Sequence, residues 1–159
     1  MANIFISYSR KDAAIAKVFA GALQAEGWSV WWDVSIRTGE TYPKAIARQL
    51  EGADCVMVLW SRASVDSDWV QVEAGEAAAR KVLVPVMIEE VAPPLQFRLI
   101  QAVHLVGWKG DKSFPEYLRL RTDISCVLEG KPRQVAPASV VDPKRDEFPR
   151  PLQRFAAVG

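Results

Sequence analysis

The chain has 159 residues, half of them hydrophobic, and its 20 Lys and Arg residues nearly balance its 19 Asp and Glu residues. This length is typical of one globular domain, and the near-neutral charge argues against nucleic-acid binding as the main function. No apolar run reaches the roughly 18 residues of a membrane-spanning helix, and no secretion signal is visible after Met1. Two distant cysteines and one histidine predict a cytoplasmic protein without disulfides or a metal site.

Composition changes near residue 128. All six tryptophans precede that point, whereas five of the 10 prolines lie in residues 129–159. Proline-rich, charged sequence that follows an aromatic-rich domain is typical of a linker. We therefore predict one domain over residues 1–128 and a linker or tail over residues 129–159.

Five β-like runs alternate with helical patterns in the first 128 residues. The predicted strands are 3–7, 28–32, 53–60, 82–88 and 103–106. The predicted helices lie between residues 12 and 27 and over about 42–51, 67–81, 95–102 and 113–128. The first helix has apolar residues at positions 15, 18, 19, 22 and 23, the spacing of one buried helix face. This alternation predicts an α/β fold, a parallel sheet with helices on both faces.

Candidate capping residues stand at the predicted helix ends. Asp12 precedes the first helix and Gly27 follows it, in keeping with the preferences of the two helix termini. Ser67 or Asp66 is expected to cap the helix after the third strand. The segment Ser113-Phe-Pro-Glu116 has capping-box spacing and should open the last helix.

Ligands of doubly wound sheets bind outside the carboxyl ends of the strands, so loops 8–12, 33–42 and 61–68 are the expected site. No G-x-G-x-x-G motif follows the first strand and no G-x-x-x-x-G-K-[ST] motif occurs, which leaves conventional dinucleotide binding and P-loop chemistry unsupported. A serine nucleophile would have His104, before the end of the fifth strand, as its one candidate histidine base, which argues against serine hydrolysis. Ser61, at the end of the third strand, is expected to be a strand-end hydrogen-bonding residue.

One face of the helix after the third strand carries Trp69, Glu73, Glu76 and Arg80 at helical spacing. Glu76 and Arg80 are expected to form a solvated ion pair. Glu73 follows Trp69 by one turn, and an aromatic wall would raise the pKa of its carboxyl group and strengthen its interaction with a cation. The alternative from the residues alone is an ordinary exposed helix glutamate.

The first strand and its loop read Ile4-Phe-Ile-Ser-Tyr-Ser-Arg10, the second strand ends on Trp31-Trp-Asp33, and Ser67 to Glu73 has the pattern S-x-W-x-x-x-E. These segments carry a resemblance to the Toll/interleukin-1 receptor (TIR) domain family, specifically its bacterial members. It also includes residues 53–61, 84–86 and 107–108 and covers about residues 1–128 in the family's order. The family fold is a flavodoxin-like five-stranded parallel sheet, which agrees with the element pattern.

The resemblance implies an activity. Many bacterial members cleave NAD⁺ at the nicotinamide–ribose bond by means of a glutamate that corresponds to Glu73. NAD⁺ is then the substrate, and no cofactor or metal is implied. Nicotinamide leaves the cationic pyridinium as a neutral molecule, so no second carboxyl group is needed to protonate it, unlike in most glycosidases. One carboxylate that holds the ribose hydroxyls and stabilises positive charge suffices. Hydrolysis and cyclisation both remain open.

The resemblance also implies substrate-binding residues around Glu73. Tyr8, Ser9 and Arg10 would line the ribose and phosphate side, although Ser9 stands where some active members have a second basic residue. Trp32 would stack on a planar ring, with Trp69 beside the carboxylate. Asp33 begins the family's mobile BB loop, here about residues 33–42. Tyr8 and Trp32 are alternatively half-buried packing residues, and Asp33 a loop cap.

Members that cleave NAD⁺ usually do so when assembled, because the BB loop of one protomer helps to complete a neighbour's site. The resemblance therefore implies TIR–TIR self-association and a sensor module, fused after residues 129–159 or separate, in a cytoplasmic anti-phage defence system. A non-enzymatic TIR interaction and signalling module is the main alternative. A nucleoside-deoxyribosyltransferase-like enzyme is a more distant one, since that family uses a similar sheet and glutamate chemistry.

Overall fold

The computed structural model describes residues 3–32, 44–131 and 133. Within this part of the chain, five strands form one parallel sheet in the order β2-β1-β3-β4-β5. Their bounds are β1 Asn3–Ser7, β2 Ser29–Trp31, β3 Cys55–Trp60, β4 Leu83–Met87 and β5 Val103–His104. The predicted five-stranded parallel sheet is therefore confirmed. From β1 the chain first adds β2 on one side and then crosses to add β3, β4 and β5 on the other. The carboxyl ends of β1 and β3 are therefore the switch point of the sheet.

Helices cover both faces of the sheet. The α-helices in the described residues are α1 Ala13–Ala25, α2 Lys44–Gly52, α3 Asp68–Ala79 and α4 Pro115–Leu128. Side chains of α1 and α4 pack with one face of the strands, and side chains of α2 and α3 pack with the other. We refer to these as the α1/α4 face and the α2/α3 face. β3 and β4 are buried along their whole lengths, as expected of central parallel strands.

The alternation of side chains along β1 sets the orientation of its last residue. Ile4 and Ile6 belong to the core of the α1/α4 face, whereas Phe5 belongs to the core of the α2/α3 face. Because successive side chains of a strand point to opposite faces, Ser7 points to the α2/α3 face. It is 1% exposed and stands at the carboxyl end of the strand.

Two of the predicted caps are confirmed and one is wrong, whereas Asp12 stands at the N-cap position of α1 without a side-chain hydrogen bond to the helix. The Ser67 hydroxyl accepts a hydrogen bond from the backbone N–H of Val70 at the start of α3. Gly27 follows α1 with φ of 94°, a conformation that favours glycine. The capping box at residues 113–116 does not form, because α4 begins at Pro115 and the Ser113 hydroxyl donates instead to Asp111 Oδ1, at 2.7 Å.

The helix predicted over residues 95–102 is also wrong, since the structure has one 3-10 turn there, Leu95–Phe97. Leu95 and Leu99 are 76% and 99% exposed. Short helices in water depend on packing for their stability. Because Leu95 and Leu99 are not packed against the rest of the domain, the turn does not continue into the predicted helix.

Two arginines join elements that are distant in sequence. Arg80 donates to the backbone oxygens of Leu50 and Ala53 at 2.8 and 2.7 Å, which ties the end of α3 to the end of α2. This contact replaces the ion pair predicted with Glu76. Arg133 donates to Asp123 Oδ2 of α4 at 2.7 Å and to the backbone oxygen of Gln101 at 2.6 Å. The domain boundary near residue 128 remains a prediction.

Candidate active site

Glu73 lies in the second turn of α3. The helix begins after β3 at the carboxyl edge of the sheet, with Ser67 as its N-terminal cap. With a rise of about 1.5 Å per residue, the second turn lies within about 10 Å of this edge. Glu73 is therefore close to the switch point of the sheet, where a ligand site is expected.

The environment of Glu73 perturbs its ionisation. Burial raises the pKa of its carboxyl group from 4.5 to about 7, because a partly desolvated carboxylate loses hydration that the neutral acid does not need. Ser7, at the end of β1, acts in the opposite direction and lowers the pKa of Glu73. The Ser7 hydroxyl is buried and makes no hydrogen bond within the described residues.

Trp69 lies one helical turn before Glu73 on α3. Residues four apart on a helix are neighbours on its surface, so the indole and the carboxyl group flank the same part of the edge. Trp69 remains 43% exposed, and Val72 beside it is 64% exposed. An aromatic surface beside a desolvated carboxylate suits a ligand that combines a planar ring with positive charge.

Two of the other predicted site residues, Tyr8 and Trp32, lie on the opposite face of the sheet from this pair. Tyr8 and Trp32 are half-buried and pack against the core of the α1/α4 face. Ser9 is half-buried at the start of the 3-10 turn Arg10–Asp12, and Arg10 is exposed. Asp33 and the predicted BB loop, about residues 33–42, lie outside the described residues. The structure thus groups Glu73, Trp69 and Ser7.

Ser7 and Trp31 are the side chains of this face that the sequence interpretation missed. Trp31 is the register partner of Phe5 and stacks on it, with ring centroids 5.1 Å apart. Trp31 therefore packs on the α2/α3 face, whereas Trp32, which was predicted to stack on a planar ring of the ligand, packs on the α1/α4 face. The period-two alternation of β1 and β2 is the signal that distinguishes the two tryptophans.

A separate cleft of about 580 Å³ opens at the carboxyl ends of β1, β3 and β4. Its lining residues are Ser9, Lys11, Asp12, Arg62, Ala63, Asp66 and Glu89. Asp12 of this lining accepts a hydrogen bond at Oδ2 from the Ser61 hydroxyl, at 2.5 Å, which confirms Ser61 as a strand-end hydrogen-bonding residue. Burial raises the pKa of Asp12. The hydrogen bond from Ser61 acts in the opposite direction and lowers this pKa, and the negative charge of Glu89 raises it further. Asp12 precedes α1 but makes no side-chain cap to it.

The described residues contain no group of three or more His, Cys, Asp or Glu side chains placed to hold a metal ion. Among the same residues, no helix is both long and apolar enough to cross a membrane.

Comparison with known proteins identifies the family of this chain. A model of the TIR domain family matches residues 4–120, which is more than half of the sequence. The chain belongs to the TIR domain family. The match includes β1, all of α3 and most of the sheet, and so contains Ser7, Trp69 and Glu73. No curated protein matches this TIR domain in sequence.

Solved structures share the fold of this TIR domain at low sequence identity. The TIR domain of the Toll-related receptor TRR-2 from Hydra magnipapillata has 13% identity and a TM-score of 0.61, over 77% of this chain and 97% of that one. The TIR domains of the activated Roq1 resistosome have 16% identity and a TM-score of 0.55, over 78% and 99%. A 2-deoxyribosyltransferase from Bacillus psychrosaccharolyticus has 10% identity and a TM-score of 0.56, over 71% and 92%.

Proposed function

We propose that this TIR domain cleaves NAD⁺ at the bond between nicotinamide and ribose, with Glu73 as the catalytic carboxylate. The observation that carries the proposal is the position of Glu73, half-buried near the carboxyl edge of the sheet beside the partly exposed ring of Trp69. A carboxylate held in a partly dry site interacts more strongly with a developing cation than one in water. This environment distinguishes Glu73 from the exposed Glu76 on the same helix.

The chemistry proposed for Glu73 is electrostatic. As the bond between ribose C1′ and the pyridinium nitrogen breaks, its electron pair leaves with nicotinamide, which becomes neutral. Positive charge then develops on the ribosyl ring, and the carboxylate stabilises it. At 4 Å and an effective dielectric constant of about 20, such a pair is worth about 4 kcal/mol. Because the pyridinium already carries the positive charge, only the part of this energy that is gained as the charge moves onto the ribosyl ring accelerates the reaction. Water then attacks C1′ to give ADP-ribose and a proton, or a nucleophile within the substrate closes a ring.

The carboxylate form is the active form in this proposal. With a pKa of about 7, Glu73 is about half ionised at neutral pH, and its ionised fraction rises to nearly complete at pH 9. We further propose that Tyr8, Ser9, Arg10, Trp32 and Asp33 keep the substrate-binding roles implied by the family resemblance, Tyr8 and Trp32 through the part of each ring that the α1/α4 core leaves exposed. We propose that self-association through the predicted BB loop completes the site, in a cytoplasmic anti-phage effector joined to or recruited by a sensor.

The experiment measures nicotinamide release from NAD⁺ by chromatography, with the protein tethered at high density on lipid vesicles. Wild type and Glu76→Gln should release nicotinamide, whereas Glu73→Ala and Glu73→Gln should be inactive. Release that persists in both Glu73 variants would remove this residue from the mechanism.

A non-enzymatic interaction module is the second candidate function, and one observation favours it. Trp69 and Val72 expose apolar surface on α3, a feature typical of protein-binding sites. On this alternative, no tethering density yields nicotinamide, and replacing Val72 by a charged residue abolishes self-association measured by sedimentation.

A further inference from the structure

Ser7 is an unsatisfied polar group in the core. Its side chain is 1% exposed, and its hydroxyl has no hydrogen-bond partner among the described residues. Leaving a buried hydroxyl without a partner costs about 1–3 kcal/mol, and the great majority of buried polar groups in native proteins are paired. The presence of a buried, unpaired serine at this position therefore calls for a physical explanation.

The buried serine after the neighbouring strand has such a reason. Ser61 follows β3, and its hydroxyl donates to Asp12 Oδ2 and accepts from the backbone N–H of Ser64 at 3.1 Å. Ser7 ends β1, the adjacent strand, and is equally buried. The two serines differ in the carboxyl group that they act on. Ser61 forms a hydrogen bond with Asp12, whereas Ser7 acts on Glu73.

Among the residues that the structure describes, β1, β3 and β4 place no ionisable side chain on the face beneath α3. On this face β1, β3 and β4 contribute Phe5, Val56, Val58, Trp60, Leu83 and Met87 to the core, together with Ser7. The other acidic residues of α3, Asp68 and Glu76, are exposed, as are Asp66 in the preceding turn and Arg10 beyond β1. Within the described part of these three strands, the polar groups on this face are the Ser7 hydroxyl and the buried indole N–H of Trp60. Of the two, Ser7 is the group that acts on Glu73.

We infer that Ser7 is a positioning residue whose hydroxyl donates a hydrogen bond to the Glu73 carboxylate in its ionised form and thereby directs that carboxylate to the ribose. This inference rests on the proposed function of Glu73. An ionised carboxylate only accepts hydrogen bonds, so the single hydroxyl proton of Ser7 complements it. The pairing of β1 with β3 holds the backbone of Ser7 in place.

The test is the titration of Glu73 in the free protein, followed by NMR of carboxyl carbons labelled with ¹³C in glutamate. Glu73→Gln assigns the resonance by removing it. Ser7→Ala should raise the midpoint of Glu73 by about one pH unit, the size expected for one hydrogen bond to a charged group. Ser7→Thr keeps the hydroxyl and should titrate like wild type.

Two further variants make the outcome specific. Ser61→Ala removes a buried strand-end hydroxyl on the adjacent strand and should leave the midpoint of Glu73 unchanged. Ser7→Cys nearly preserves the side-chain volume but offers a weak donor, so it should also raise the midpoint, and it serves if Ser7→Ala does not fold. A Glu73 midpoint that stays at the wild-type value in folded Ser7→Ala or Ser7→Cys overturns the inference.

Nicotinamide release by the vesicle-tethered variants separates this inference from the proposed function. Release at pH 7 should fall about five-fold in Ser7→Ala, because a one-unit rise leaves about a tenth of Glu73 ionised instead of half. If wild type releases nicotinamide but the Glu73 midpoint does not move, the positioning role fails and the proposed function stands. If the midpoint moves but no variant releases nicotinamide, the contact exists and the proposed function fails.

Discussion

Replacing Glu73 by Gln should stabilise the folded protein, and the gain should depend on pH. Gln resembles the protonated carboxyl group in shape but does not ionise. The pKa of Glu73 is about 7 in the folded protein against an ordinary 4.5, so the folded state binds the proton more tightly than the unfolded state does. Wild type therefore loses stability as the pH rises from about 4.5 to about 7.

The size of this effect follows from the two pKa values. One pKa unit corresponds to about 1.4 kcal/mol. The rise in the pKa of Glu73 from 4.5 to about 7 therefore lowers the unfolding free energy of wild type by about 3 kcal/mol above pH 7. Glu73→Gln should match wild type near pH 4 and exceed it by up to about 3 kcal/mol at pH 8. In thermal unfolding this corresponds to a difference on the order of 10 °C.

The assay is urea unfolding of wild type and Glu73→Gln at pH 4, 6 and 8, followed by tryptophan fluorescence. Glu76→Gln is the matched control, because it removes an exposed carboxylate three residues further along the same helix. Its difference from wild type should change little with pH. A Glu73→Gln difference that stays flat between pH 4 and 8 would refute the desolvation of Glu73.

Three further predictions concern contacts around this core. Arg133→Ala leaves Asp123 buried without its cation, and urea unfolding should show a loss of about 3 kcal/mol; an unchanged midpoint would contradict the ion pair. Arg80→Met keeps the apolar stem but removes two hydrogen bonds to the end of α2, so a loss of about 2 kcal/mol is expected in the same assay, and a loss near zero would count against that tie. Trp69→Ala admits water to Glu73 and should lower its pKa in an NMR titration; a rise would contradict the shielding role.

Local patterns predicted most of the fold. The apolar stripe of the first helix, the apolar runs of β3 and β4 and the Ser67 cap depend on residues close in sequence, and each is confirmed by the structure. Glu73 could be singled out because its position relative to Trp69 is a helical spacing. Whether it is desolvated depends on the sheet beneath α3, which no helical spacing reveals.

The contacts that the sequence interpretation missed are long-range or depend on competition. Arg80 joins backbone oxygens 27 and 30 residues away in preference to Glu76, because two carbonyls at a helix end offer a fixed, partly buried acceptor pair. Ser113 serves Asp111 instead of capping α4. Ser7 carries no signal of its own, since its orientation follows only from the register and alternation of β1.

The pH dependence of nicotinamide release tests the central claim most directly. With wild type tethered on vesicles, kcat/KM for NAD⁺ should rise with pH along a single ionisation with a midpoint near 7 and level off above pH 8. Glu73→Gln should be inactive at every pH, with Glu76→Gln following wild type. Activity that is independent of pH between 5 and 9, or that survives in Glu73→Gln, would contradict a desolvated Glu73 carboxylate as the catalytic group.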